Sequence, residues 1–242
     1  MRQYEVRGRV LVVTGSSRGI GRAIALEAAK RGARGVVVNY RSDEEGARRT
    51  IALLKSYGVD AIAVRADVGV WGEARRVIDE AIERYGGVDV LVNNAGILAP
   101  KPFREMEPRE WEDMFRVHVF GSMNMARAAL EYMREGVIVN IASILAVRPE
   151  AEASHYSAAK AALVAWTIAL AKELAPAIRV FAVLPGGVDT RMARVWGDLD
   201  WVEEEIPAGR LADPGEVAKL VLDAVENPYV TGDILTISGA LL

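Results

Sequence analysis

Residues 9–21 of the chain read Arg-Val-Leu-Val-Val-Thr-Gly-Ser-Ser-Arg-Gly-Ile-Gly, an apolar run followed by a glycine-rich turn. The run predicts a buried strand that ends at Thr14, and the apolar spacing after the turn predicts a helix. Gly15, Gly19 and Gly21 therefore lie where backbone N–H groups and the helix dipole attract phosphate. An ordinary glycine-rich connection is the alternative, but the order strand–turn–helix favours phosphate binding.

The rest of the chain repeats this alternation of strand and helix. Apolar, β-branched runs predict strands at 10–14, 35–39, 60–65, 88–93, 136–141, 178–184 and 234–237. Helical patterns occupy 19–32, 43–57, 70–85, 107–134, 154–175 and 214–226. This alternation predicts an α/β fold: a doubly wound parallel sheet (Rossmann-like) in three α/β/α layers, forming a single domain over residues 1–242.

A second group of residues carries acid–base chemistry. Tyr156 and Lys160 are four residues apart, so they share one face of a helix. Ser143 follows the apolar strand at 136–141. A phenol has a pKa of about 10, and a nearby cation favours its ionised form, which suits general acid–base catalysis. By itself the Tyr-x-x-x-Lys spacing also fits one exposed turn of helix.

The turn at 14–21 resembles the cofactor motif of the short-chain dehydrogenase/reductase family. Asp67-Val68, Asn93-Asn94-Ala95-Gly96, Ser143, Tyr156-x-x-x-Lys160 and Pro185-Gly186 also resemble family motifs, and they occur in the family's order. The resemblance extends from Arg9 to about Gly239. It implies an NAD(P)-dependent enzyme that interconverts carbonyl and alcohol groups.

By the same resemblance, Ser143 hydrogen-bonds the substrate oxygen and Tyr156 exchanges a proton with it. Lys160 holds the nicotinamide ribose and lowers the pKa of Tyr156. The implied cofactor contacts are Gly15, Ser17, Arg18, Gly19, Ile20, Asn39, Arg41, Ser42, Asp67, Val68, Asn94, Ala95, Gly96, Tyr156, Lys160, Pro185, Gly186, Val188 and Thr190.

The end of the second predicted strand indicates which nucleotide is preferred. An acidic residue there would bind the ribose 2′-hydroxyl and repel a 2′-phosphate. The chain instead has Asn39-Tyr40-Arg41-Ser42, with Arg18 in the glycine turn. The two arginines could hold a phosphate, so we expect NADP to be preferred, with NAD possible. Two solvated surface arginines are the alternative.

His118 stands where the family has an asparagine whose backbone carbonyl holds a water in a proton relay. The backbone role could survive the change, or the imidazole could itself join the relay, since the pKa of histidine suits proton transfer. A histidine that only packs inside the helix is the third interpretation.

The substrate is less determined than the reaction. The layout most resembles 3-oxoacyl-acyl-carrier-protein reductases, and Arg134 and Lys172 could then dock an acyl carrier protein. Residues 39–42 also resemble glucose dehydrogenases, so a sugar or polyol is the alternative. A lid over residues 190–206 carries Trp196 and Trp201. A non-catalytic NADP-binding sensor or scaffold is the competing class of function.

Composition limits the remaining classes. The chain has 242 residues, 51% of them hydrophobic, a net charge of −3, two histidines and no cysteine. We therefore expect no nucleic-acid partner, no disulfide and no metal site. The polar N-terminus and short apolar stretches predict no signal peptide and no membrane span, hence a cytoplasmic protein. The family resemblance also implies a homotetramer.

Overall fold

The computed structural model describes residues 4–197, 202 and 205–241. Its centre is a seven-stranded parallel sheet in the order β3-β2-β1-β4-β5-β6-β7. This confirms the predicted fold class, and each predicted strand is present to within two residues. The strands are β1 Val10–Val13, β2 Gly35–Tyr40, β3 Asp60–Arg65, β4 Val90–Asn93, β5 Gly136–Ile141, β6 Ile178–Pro185 and β7 Ile234–Ile237.

Helices cover both faces of the sheet, which is why the central strands are apolar without alternation. The helices are α1 Gly19–Lys30, α2 Glu44–Ser56, α3 Trp71–Tyr85, α4 Pro108–Phe115, α5 Gly121–Ala129, α6 Ser154–Leu174 and α7 Pro214–Glu226. One core lies between the sheet and α1, α2 and α7. A second lies between the sheet and α3, α5 and α6.

The predicted helix over 107–134 is wrong in one respect, because it is not continuous. A π-helical turn, Arg116–Phe120, separates α4 from α5, and α5 ends at Ala129. Gly121 packs so closely on Val68 that a Cβ there would lie 2.7 Å from the valine side chain. Tertiary packing of this kind is not visible in the apolar spacing that predicted the helix, and π turns often occur at functional sites.

The strand order places the ligand-binding edge of the sheet. From β1 the chain first adds β2 and β3 on one side of the sheet, and then returns to add β4 to β7 on the other side. β1 and β4 are therefore parallel neighbours, although β2 and β3 separate them in sequence. In open parallel sheets, ligands bind beyond the carboxyl ends of the strands at this point. The glycine turn after β1 and the 94–97 loop after β4 meet there: the hydroxyl of Thr14 accepts hydrogen bonds from the Asn94 and Ala95 amides at 2.8 and 2.9 Å.

Candidate active site

One cavity of about 1250 Å³ extends along the carboxyl ends of the strands. The implied cofactor contacts, His118 and the Ser-Tyr-Lys set all line it, from Arg18 at one end to Tyr156 near the other, whereas Gly21 of the glycine turn does not. The cavity therefore brings together the glycine turn, the strand ends and the Ser-Tyr-Lys set, although they are spread over more than 170 residues of sequence. Their individual roles stay predictions.

The glycine turn is closely packed against the loop after β4. A Cβ at Gly21 would lie 2.5 Å from the side-chain nitrogen (Nδ2) of Asn94 and 2.7 Å from the Gly15 carbonyl oxygen. Gly15 and Gly19 have φ of +61° and +55°, a conformation that favours glycine. Helix α1 begins at Gly19, and no side chain among the described residues caps its N-terminus. Its first amides are thus available to an anion in the cavity.

At the end of β2, the two predicted phosphate-binding arginines each face a carboxylate. Arg18 Nη1 lies 3.1 Å from Asp43 Oδ2, and Arg41 Nη1 lies 3.7 Å from Asp67 Oδ2. Asp43 also caps α2 by accepting a hydrogen bond from the Gly46 amide. The sequence analysis missed Asp43, although an aspartate just before a helical pattern is a standard capping signal.

Asn39 has a clear structural part in this region. Its side-chain oxygen accepts a hydrogen bond from the Gly15 amide at 3.2 Å, and its side-chain nitrogen donates to the carbonyls of Val64 and Ala66. The residue is only 1% exposed. Asn39 thereby holds the glycine turn to the ends of β2 and β3.

Asp67 is held by more partners than the sequence indicated. Arg116 donates from Nη1 to Asp67 Oδ2 at 3.0 Å, and the Gly69 amide donates to Oδ1 at 2.9 Å. Burial raises the pKa of the Asp67 carboxyl, but these hydrogen bonds and the charges of Arg116 and Arg41 outweigh it and leave the pKa below its usual value. Arg116 was missed because nothing in its local sequence points to a partner 49 residues away.

At the other end of the cavity, Ser143, Tyr156 and Lys160 come together. All three are buried: they are 6%, 6% and 4% exposed. Tyr156 and Lys160 lie one turn apart on α6, and Lys160 Nζ is 5.6 Å from the centre of the tyrosine ring. Lys160 donates a 2.7 Å hydrogen bond to the carbonyl of Ile141 at the end of β5. Burial lowers the pKa of Lys160 to about 7.

The pKa of Tyr156 shifts in the direction opposite to the one expected from the sequence. Burial raises it to about 12, and the hydroxyl of Ser143, which lowers it, is the weaker influence. Desolvation penalises the phenolate more than the hydrogen bond with Ser143 stabilises it. The phenol therefore keeps its proton at neutral pH, as a proton donor must.

His118 lies on the π-helical turn beside Tyr156. The two rings meet edge to face, with centroids 5.2 Å apart, and His118 Nε2 is 2.7 Å from the Ile97 carbonyl oxygen. A Cβ at Gly96 would lie 2.5 Å from the imidazole, so the ring fits only against glycine. Burial, with the charge of Lys160, holds the pKa of His118 well below its usual value. The imidazole is thus neutral and cannot serve as a charged relay group near pH 7.

We expect His118→Asn to lower kcat by less than about tenfold. The neutral imidazole acts through packing and one hydrogen bond, and the His118 carbonyl accepts a 2.8 Å hydrogen bond from Ser122 that the substitution leaves in place. The measurement is steady-state kcat and KM at pH 7. A loss of more than about a hundredfold in kcat with unchanged cofactor affinity would instead assign the imidazole a direct part in proton transfer.

One part of the wall near Tyr156 is apolar, although Arg148, Glu150 and Glu152 also line the cavity. Ile97, Leu98, Leu145 and Trp196 pack in one cluster with Tyr156 and also line the cavity. In the predicted lid, Ala193–Trp196 form a short 3-10 helix. Trp201 lies outside the described residues, so the lid is only partly described.

Two further properties of the described residues bear on function. No helix among them is long and apolar enough to cross a membrane. Nor do they contain a group of three or more His, Cys, Asp or Glu side chains that could hold a metal ion.

Comparisons with known proteins agree with this geometry. The family model described as short chain dehydrogenase matches residues 9–199. A 3-oxoacyl-[acyl-carrier-protein] reductase of Aquifex aeolicus is 35% identical over 99% of both chains. A short chain dehydrogenase from Burkholderia cenocepacia, solved in complex with NADP, is 35% identical with a TM-score of 0.92, covering 98% of this chain and 99% of that one. A blue fluorescent protein from a metagenomic library, solved with NADPH, is 32% identical with a TM-score of 0.92 and the same coverage.

Proposed function

Because the chain belongs to the short-chain dehydrogenase family, whose members are NAD(P)-dependent oxidoreductases, we propose that it uses NADP and reduces the carbonyl group of a 3-oxoacyl thioester. The observation that carries the substrate class is the apolar wall beside Tyr156. A sugar would need several polar side chains to replace its hydrogen bonds with water. An acyl chain needs apolar surface, which Ile97, Leu98, Leu145 and Trp196 offer.

The residues at the other end of the cavity fit a dinucleotide. The N-terminus of α1, with Gly19 in its first turn, faces the cavity and suits a pyrophosphate. Arg18 and Arg41 are 48% and 58% exposed, so either can reorient toward a 2′-phosphate. Two related structures hold NADP and NADPH, which supports the same cofactor here.

In the proposed mechanism, NADPH held by the residues above would supply a hydride for the reduction, and NADP would take one up in the reverse direction. Ser143 donates a hydrogen bond to the substrate carbonyl oxygen and fixes its position. Tyr156 gives its phenolic proton to that oxygen, and in alcohol oxidation the phenolate takes the proton back. Lys160 holds the nicotinamide ribose and its cation stabilises the phenolate.

The experiment that tests this proposal compares two reactions. NADPH oxidation is followed with acetoacetyl and 3-oxooctanoyl thioesters of N-acetylcysteamine, and NADP reduction is followed with glucose. We expect turnover of the thioesters alone. Because each buried methylene contributes about 0.8 kcal/mol, KM for the longer thioester should be at least about tenfold lower. The variant Trp196→Ala should reduce that difference.

Turnover of glucose alone would replace the thioester proposal with a sugar dehydrogenase. The absence of turnover with every substrate, while NADPH still binds, would also overturn the thioester proposal. Equal KM values for the short and long thioesters would remove the apolar wall as the determinant of substrate choice.

We further propose that an acyl carrier protein delivers the thioester. Such carriers are acidic, and Arg134 and Lys172 are exposed basic residues at the ends of the segments before β5 and β6. This is consistent with the relative from Aquifex aeolicus, whose name specifies an acyl-carrier-protein substrate. However, Arg134 and Lys172 precede the amino ends of β5 and β6, whereas the cavity lies at the carboxyl ends of the strands and neither residue lines it. A carrier docked on these two side chains would therefore not reach Tyr156 of the same chain, so we expect KM for the carrier-bound substrate not to depend on them.

A further inference from the structure

We infer that Arg116 determines the preference for NADP over NAD: by binding Asp67, it leaves Arg41 free to bind the 2′-phosphate. The inference rests on the proposed use of NADP. Arg116 lies on the π-helical turn, outside the glycine turn and the β2 end that normally decide nucleotide choice. It contributes through a second residue, so its role is one of specificity and not of catalysis.

The first argument is the competition at the Asp67 carboxylate. Asp67 Oδ2 lies 3.0 Å from Arg116 Nη1 and 3.7 Å from Arg41 Nη1. The shorter pair is also the less exposed one: the Arg116 side chain is 33% exposed and that of Arg41 is 58%. An ion pair that is shorter and less solvated is the stronger of the two. Arg41 is therefore the partner that can leave.

The second argument is that the Arg116 side chain has a preformed place. Its Nε donates to Asp113 at 3.0 Å, and a Cβ at Gly69 would lie 2.6 Å from its Nη1. Close by, Asn124 donates a 3.0 Å hydrogen bond to the Val68 carbonyl. The π-helical turn and the start of α5 thus pack against residues 67–69. They hold the Arg116 guanidinium against Asp67 without a contribution from Arg41.

The third argument is the local charge. A 2′-phosphate carries close to two negative charges, and two carboxylates, Asp43 and Asp67, already lie beside Arg18 and Arg41. If Arg116 were removed, Asp67 would keep Arg41 as its remaining arginine partner among the described residues, and the phosphate would have to compete for it. NAD carries only an uncharged 2′-hydroxyl at this position, so its affinity should hardly change.

The test measures Kd for NADPH and NADH by nucleotide fluorescence in 0.1 M salt. We expect Arg116→Met, which keeps the length of the side chain but removes its charge, to weaken NADPH binding about tenfold and NADH binding less than about twofold. Arg116→Lys keeps the charge but cannot donate to Asp67 and Asp113 from two separate nitrogens, as Arg116 does. It should weaken NADPH binding about threefold. Arg127→Met is the matched control, because Arg127 is an exposed helical arginine that pairs only with Glu131 among the described residues.

A double variant separates the inference from simple loss of charge. Arg41→Met should weaken NADPH binding in the wild-type background, and clearly less in Arg116→Met, because there Arg41 is already engaged by Asp67. Fully additive effects would overturn the inference. Equal weakening of NADPH and NADH by Arg116→Met would overturn it as well, and would assign Arg116 a structural part in nucleotide binding that does not involve the 2′-phosphate.

The same data distinguish failure of the inference from failure of the proposed cofactor. If the wild-type protein binds NADH as tightly as NADPH and Arg41→Met changes neither, the NADP proposal fails and the inference with it. If the wild-type protein prefers NADPH and Arg41→Met removes that preference while Arg116→Met preserves it, the inference alone fails.

Discussion

Replacing Tyr156 by phenylalanine is expected to lower kcat by at least about 1,000-fold while Kd for NADPH changes less than about threefold. The phenol is the proton donor of the proposed mechanism, and burial, which raises its pKa to about 12, keeps it protonated. The ring itself stays, so its edge-to-face contact with His118 and the packing of the apolar cluster are preserved. The measurement is single-turnover oxidation of NADPH, with cofactor affinity from fluorescence.

Tyr132→Phe is the matched control for that variant. Tyr132 is an exposed tyrosine whose hydroxyl donates to Asp79 at 3.1 Å, and neither residue lines the cavity. It should keep full activity. Retained turnover in Tyr156→Phe, within about tenfold of wild type, would refute the assignment of the phenol as proton donor and move attention to Lys160 and bound water.

Much of the fold could be predicted because its signals are local. A valine-rich strand such as Val10–Val13 is buried on both faces and reads as a continuous apolar run, and the glycine turn after it marks the ligand edge of the sheet. The Ser-Tyr-Lys set could likewise be assigned from spacing and strand ends, because parallel strands end at the same edge.

The remaining features depend on packing between distant segments, which no local pattern encodes. The π turn at Arg116–Phe120 exists where Gly121 meets Val68, and the Arg116–Asp67 pair joins residues from opposite sides of β4 in sequence. The direction of the Tyr156 pKa shift is likewise set by packing and not by a local pattern. Its direction depends on how deeply Tyr156 and Lys160 are buried together, and the sequence states only that they are four residues apart.

Lys160→Met is expected to lower kcat by about a hundredfold or more and to make the folded protein more stable. Activity falls because the ammonium beside Tyr156 is lost. Stability rises because the folded protein keeps a buried amine whose pKa is lowered to about 7 by desolvation alone. Replacing a buried charge by an apolar side chain of similar length is often stabilising, here by about 2 kcal/mol near pH 6.5.

The stability gain should depend on pH in a defined direction. Below pH 7 the amine is protonated in both states, and the folded state bears the full desolvation penalty. Between pH 7 and about 10.4 the unfolded chain binds a proton that the folded protein has released, so wild-type stability rises with pH through this group. Lys160→Met has no such group, and its advantage should shrink between pH 6.5 and pH 9.5. Urea unfolding midpoints at the two pH values measure this difference.

Lys172→Met supplies the control on the same helix. Lys172 is exposed near the end of α6, so its removal should leave both the unfolding midpoint and its pH dependence within about 0.5 kcal/mol of wild type. If Lys160→Met proved less stable than wild type at pH 6.5, the 2.7 Å hydrogen bond from Lys160 to the Ile141 carbonyl would outweigh desolvation. The lysine would then be a structural link between α6 and β5 as well as a catalytic group. A gain that vanishes at high pH would instead identify Lys160 as a cation kept in the core at the expense of stability, because the reaction at Tyr156 requires it there.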